Sequence, residues 1–108
     1  MSGFRPGQVV TVFRSRLLEE PDPRYEPLNA RLLARAAELG GLVEAKFFVA
    51  DDGERVTLVT FEDDASHERW ARDAAHLAAQ TFGRERVYAT YSIQICDCRR
   101  ATSFEAPS

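Results

Sequence analysis

Positions 67 to 88 concentrate side chains able to do chemistry: His67, Trp70, His76, Gln80 and Tyr88. An imidazole titrates near neutral pH and suits a general base. An indole offers a broad apolar face and one N–H donor. A phenol and a carboxamide can both hydrogen-bond a ligand. Upstream, Arg14 and Arg16 place guanidinium groups on what reads as a strand. A charge held against a sheet needs an opposite charge, which Glu44 or Glu62 could supply. An anionic substrate is the alternative partner. Other chemistries lack their motifs. No Ser-His-Asp arrangement or phosphate-binding glycine loop is present, and Glu19-Glu20, Asp51-Asp52 and Asp63-Asp64 fall at element ends. Cys96 and Cys98 stand as C-x-C, a spacing that diverges on a strand and reads as structural free thiols.

Each candidate also has a plainer role. Trp70 could simply fill the space between a helix and a sheet. His67 sits in a first helical turn on the Trp70 side and could only pack there. On an unbroken helix His76 shares a solvated face with Arg69, Arg72, Asp73 and Gln80. A break near residues 73–75 would instead turn it inward.

The elements that must position these groups follow from patterning. Residues 8–17 alternate as a strand rich in β-branched residues. Residues 23–39 read as a helix, with Asp22 as N-cap, Pro23 in the first turn and Gly40-Gly41 as the stop. Residues 42–50 and 55–62 read as a hairpin turned at Asp52-Gly53. Residues 65–82 read as a second helix capped by Asp63 or Asp64, and residues 88–98 as a fourth strand. The order β-α-β-β-α-β predicts an α+β, ferredoxin-like fold with a four-stranded antiparallel sheet. It occupies residues 8–98, with polar tails at 1–7 and 99–108.

The chain has 108 residues, a net charge of −3 and 44% hydrophobic content. This fits one small domain. It gives no basic excess for nucleic acid and no apolar run of membrane-spanning length. The start lacks the apolar core of a secretory signal, so a cytoplasmic location is the default expectation. The sheet is apolar on both sides, with Val10 and Val12 opposing Val9 and Phe13. Tyr91, Ile93 and Ile95 form a row opposite the one that holds Tyr88. Two helices cover one face, so the other predicts a partner, most simply a second copy. Tyr91 reads as a dimer-face or core residue.

The ordered string from Trp70 through His76-Leu77-Ala78-Ala79-Gln80, Gly83-Arg84-Glu85-Arg86 and Tyr88 to Tyr91 resembles the antibiotic biosynthesis monooxygenase-like family. The opening strand VVTVFRSRL, the GGLVEAKFF segment and the hairpin DDGERVTLVTFE add to the resemblance. It implies a dimeric α+β barrel: a homodimer through the sheet face, with a pocket in each protomer between sheet and helices. It further implies a cofactor-independent monooxygenase-like protein acting on a small hydrophobic aromatic molecule of quinol or anthrone type, without flavin or metal. The candidate catalytic groups are then His76 and His67. The candidate substrate contacts are Trp70, Tyr88, Arg14 and Gln80. The haem-degrading branch of the family is disfavoured. Its first-strand Asn is missing here, and Gln80 stands where its His would be, without an imidazole to ligate iron. The rival expectation is a non-catalytic homodimer that binds a small molecule or is purely structural.

Overall fold

The computed structural model describes residues 3–107. Alternating β-branched and aromatic residues build β1 (Val9–Leu17), β2 (Leu42–Val49), β3 (Arg55–Phe61) and β4 (Tyr88–Asp97). They form one antiparallel sheet in the order β2-β3-β1-β4. Three helices accompany it: α1 (Tyr25–Leu39), α2 (Asp64–Arg72) and α3 (Ala74–Arg86). This is the expected α+β ferredoxin-like arrangement, with the second helix divided in two. None of the described helices is long and apolar enough to cross a membrane.

Helix α1 begins two residues later than the sequence suggests. The Asp22 carboxylate accepts from the Arg24 backbone N–H at 2.9 Å and from its guanidinium at 2.8 Å. That local closure makes 22–24 a turn, so the helix starts at Tyr25, whose N–H donates to the Asp22 carbonyl at 3.0 Å. At the other end Gly40 and Gly41 take φ of 87° and 83°, the left-handed region open to glycine. The β2–β3 turn runs as expected, with Gly53 at φ 89°.

The register sets out rows across the side of the sheet that carries the helices. The first is Val49–Arg55–Ser15–Tyr91, the second Phe47–Thr57–Phe13–Ile93 and the third Ala45–Val59–Thr11–Ile95. Leu42–Phe61–Val9–Asp97 closes that side. The core forms at this last end. Val59, Phe61, Ala36 and Trp70 pack together, with Leu32, Leu39, Leu42 and Ala45 against them. Trp70 is 8% exposed; truncating so large a buried ring to alanine costs about 3–5 kcal/mol.

Strand β4 selects between the two roles open to Tyr91, dimer face or core. Tyr91, Ile93 and Ile95 face the helices, because Phe13 pairs with Ile93 and Thr11 with Ile95. Ser92, Gln94 and Cys96 turn to the open side. That open side carries Val10, Val12, Val56, Leu58 and Phe48, and no described helix covers it. Cys96 and Cys98 are free thiols.

Candidate functional site

Asp73 is the residue that makes the site. Its backbone is extended, at φ −64° and ψ 132°, between α2 and α3. Its Oδ2 accepts from the backbone N–H groups of Ala75 and His76 at 3.1 and 3.4 Å, capping α3. Its Oδ1 accepts from the Arg35 guanidinium at 2.9 Å, tying the break to α1. That hydrogen bond with Arg35 holds the Asp73 carboxyl below the usual carboxylate range. The helix therefore restarts in a new direction. His76 leaves the solvated face of a continuous helix and lines a cavity instead.

The imidazole of His76 stacks on the Trp70 indole, with centroids 4.2 Å apart and planes 20° from parallel. Its Nδ1 lies 3.1 Å from the Trp70 carbonyl oxygen. A carbonyl only accepts, so Nδ1 holds the proton and Nε2 keeps its lone pair. Burial pushes the His76 pKa below the ordinary 6.5, against the opposing pull of that hydrogen bond. The group is thus a neutral imidazole of fixed tautomer at pH 7. His67 is 6% exposed and meets the Phe61 ring edge-on at 5.6 Å. Its Nδ1 has no hydrogen-bonding partner within the described protein, and neither does the Thr11 Oγ1. Both residues line the same cavity. Buried polar atoms are rarely left so, and a ligand's polar groups would satisfy them.

The far end of the cavity is aromatic. The sequence alternation places Tyr88 and Tyr91 on opposite faces; the structure brings them together. A bulge does this: Leu17 pairs with Tyr88 but Arg16 with Thr90, so Ala89 is an extra residue and the alternation reverses. Tyr88 then meets Phe13 at 5.3 Å and both Tyr25 and Tyr91 at 5.8 Å between ring centroids. Burial, then a hydrogen bond with Tyr25, drives the Tyr88 pKa well above the usual phenol range, so its hydroxyl stays a neutral donor. Gly83 is part of this wall. A Cβ there would come within 2.5 Å of the Tyr88 ring, so only glycine lets α3 approach so closely.

The cavity between these ends has a volume of about 210 Å³. A void of about 150 Å³ accommodates benzene, so there is space here for more than one ring. His67, Trp70, His76, Gln80 and Tyr88 all line it. Arg14 does not, which corrects the expectation that it holds substrate. It projects from the open side of the sheet, with its NH2 nitrogen 2.7 Å from the Glu54 carboxylate, and Arg16 pairs with Asp52 at 2.8 Å. The hairpin acids lie nearer than Glu44 or Glu62 because the antiparallel register carries the strand ends to the turn. The sequence reading missed Thr11, Phe13, Tyr25 and Tyr91 as cavity residues. The period-2 pattern of β1 already groups Thr11 with Phe13 on one side. Tyr91 needed the inter-strand register, and Tyr25 the packing of α1. Among the described residues, Asp64, His67 and Glu68 are the group that could hold a metal ion, with ligand atoms within 4.8 Å of one another.

No family model matches the sequence, and no curated protein is significantly similar to it. Solved structures do match. SnoaB, a cofactor-independent oxygenase from Streptomyces nogalater, superposes with a TM-score of 0.71 at 20% identity, over 88% of this chain and 96% of that one. A conserved protein from Methanosarcina mazei Go1 gives 0.72 at 14% identity, over 87% and 93%. A provisionally named antibiotic biosynthesis monooxygenase from Nitrosomonas europaea gives 0.71 at 9% identity, over 88% and 93%. The chain therefore has the fold of these proteins, one of which is a cofactor-independent oxygenase.

Proposed function

We propose that the chain is a cofactor-independent monooxygenase acting on a small, electron-rich aromatic molecule of anthrone or quinol type. The observation that carries this reading is His76: a neutral imidazole of fixed tautomer, stacked on Trp70 at the wall of an apolar cavity. An anthrone needs a base to form its electron-rich anion, and that anion can itself reduce oxygen. His76 Nε2 takes the proton from the ring methylene. The anion gives its electrons to O2 and forms a carbon–oxygen bond. One oxygen atom stays as the new carbonyl and the other leaves as water, so methylene plus O2 becomes carbonyl plus water. Gln80, one turn of α3 after His76, and the free polar atoms of His67 and Thr11 would hydrogen-bond the developing oxyanion. Trp70, one face of which His76 covers, backs the imidazole and lines the cavity. The likeness of fold to SnoaB supports this choice among base-assisted reactions.

The working unit in this proposal is a homodimer. A second copy covers Val10, Val12, Val56, Leu58 and Phe48 on the open side of the sheet. The test of function is incubation of the chelator-treated protein with an anthrone under air and under argon. Oxygen-dependent quinone formation above the protein-free rate is expected. Binding without turnover across a panel of anthrones and quinols would overturn catalysis and leave a small-molecule-binding homodimer.

A further inference from the structure

The arginines of the open face and of the sheet's edge have carboxylate partners. Arg14 pairs with Glu54, Arg16 with Asp52 and Arg5 with Glu62. Arg55 is different. The register puts it on the helix-bearing side, in the row Val49–Arg55–Ser15–Tyr91. Its guanidinium carbon sits 4.7 Å from the centre of the Phe47 ring and 5.9 Å from that of Tyr25. The group is held between the sheet and the start of α1. Among the described residues no carboxylate lies within ion-pair distance of it, and its Nε is buried without a hydrogen-bonding partner. A half-buried guanidinium normally has an anionic partner. The aromatic faces satisfy its charge in part but accept none of its N–H groups in line.

What lies beside it is the cavity. Tyr25, which shares the cation, is a cavity wall, and so is Thr57, two residues along the same face of β3. Arg55 does not itself line the cavity; Tyr25 stands between its guanidinium and Tyr88, and Ser15 in the same row is small and buried. From the row of Arg55 to that of Val59, beneath Trp70, is four strand residues, about 13 Å. That distance suits a fused ring system with its reacting carbon near His76 and an acidic substituent at the tyrosine end. We propose that Arg55 makes this end an anion subsite, selecting aromatic substrates that carry a carboxylate or an equivalent acidic oxygen. The planar fork of the guanidinium matches such a group. This inference rests on the cavity being the substrate site.

The test compares two non-reactive quinones, anthraquinone and anthraquinone-2-carboxylate, by quenching of Trp70, the only tryptophan. The native protein is expected to bind the carboxylate about tenfold or more tightly than the neutral quinone, the scale of one charge-assisted hydrogen bond. Arg55→Gln should abolish the preference and leave neutral binding within about twofold, while Arg55→Lys keeps part of it. Added salt should weaken the carboxylate alone. Equal binding of both quinones by the native protein would overturn the subsite while leaving the cavity reading intact. So would an undiminished preference in Arg55→Gln. Binding of neither quinone would overturn the cavity reading and the subsite with it. Should Arg55→Gln not fold, the salt response and Arg55→Lys decide in the same way.

Discussion

Replacing Gly83 by alanine tests the tyrosine wall without removing any polar group from the cavity. The added Cβ would fall 2.5 Å from Cε2 and 2.9 Å from Cδ2 of Tyr88. Carbon atoms settle at about 3.5–4.0 Å, so the ring must retreat by about 1 Å. Phe13, Tyr25 and Tyr91 crowd it at centroid distances of 5.3, 5.8 and 5.8 Å, which leaves the cavity as the open direction. Overpacking of this kind costs about 1–3 kcal/mol. Exchanging a helical glycine for alanine returns about 1 kcal/mol. The net loss of stability is therefore about 0–2 kcal/mol, read as a small fall in urea midpoint at unchanged slope. Ligand affinity should suffer more, because the ring enters space the ligand occupies. A rise in anthraquinone Kd of tenfold or more is expected in Trp70 fluorescence titrations, equivalent to about 1.4 kcal/mol. Loss of stability with unchanged affinity would show that Tyr88 is not a cavity wall in solution and would refute the reasoning.

Other perturbations probe other parts. Asp73→Ala removes both the α3 cap and the partner of Arg35, so turnover should fall at least tenfold while far-UV dichroism changes little; unimpaired turnover would mean the helix break does not position His76. The pKa of His76 is held below 6.5 by burial, so its neutral form is the one the fold favours. The stability it protects is complete above pH 6.5 and is lost as pH falls towards the depressed folded value. The acidic limb of kcat/KM should likewise lie below 6.5 and disappear, with the activity, in His76→Gln; a limb above 6.5 would contradict the assignment. Leu58→Arg places a charge in the centre of the open sheet face and should convert a dimer to a monomer in equilibrium sedimentation, whereas a native protein that already sediments at 12.2 kDa would refute the dimer.

Much of the fold was legible because its signals are local. Alternation marked the strands, Asp52-Gly53 the hairpin and Gly40-Gly41 the end of α1. The site was legible only in part. His67, Trp70, His76, Gln80 and Tyr88 could be named, yet two non-local facts govern how they meet. One is the ion pair of Asp73 with Arg35, 38 positions apart in sequence, which stabilises a break that helical periodicity alone passes over. The other is the bulge at Ala89, which reverses the facing of Tyr88 and depends on how β4 registers against β1. Arg14 was misplaced for a related reason. Composition shows that it needs an acid, but only the register shows that Glu54 is within reach on the open side.

The central claim is that the cavity beside Trp70 holds an aromatic molecule within reach of His76. A crystal structure of the protein soaked with a hydroxylated anthraquinone tests it most directly. The expected result is a ring system lying between the sheet and α3, against Trp70, with one of its oxygens within about 3 Å of His76 Nε2. A ligand bound elsewhere, or a cavity closed by repacked side chains with His76 turned to solvent, would contradict the account.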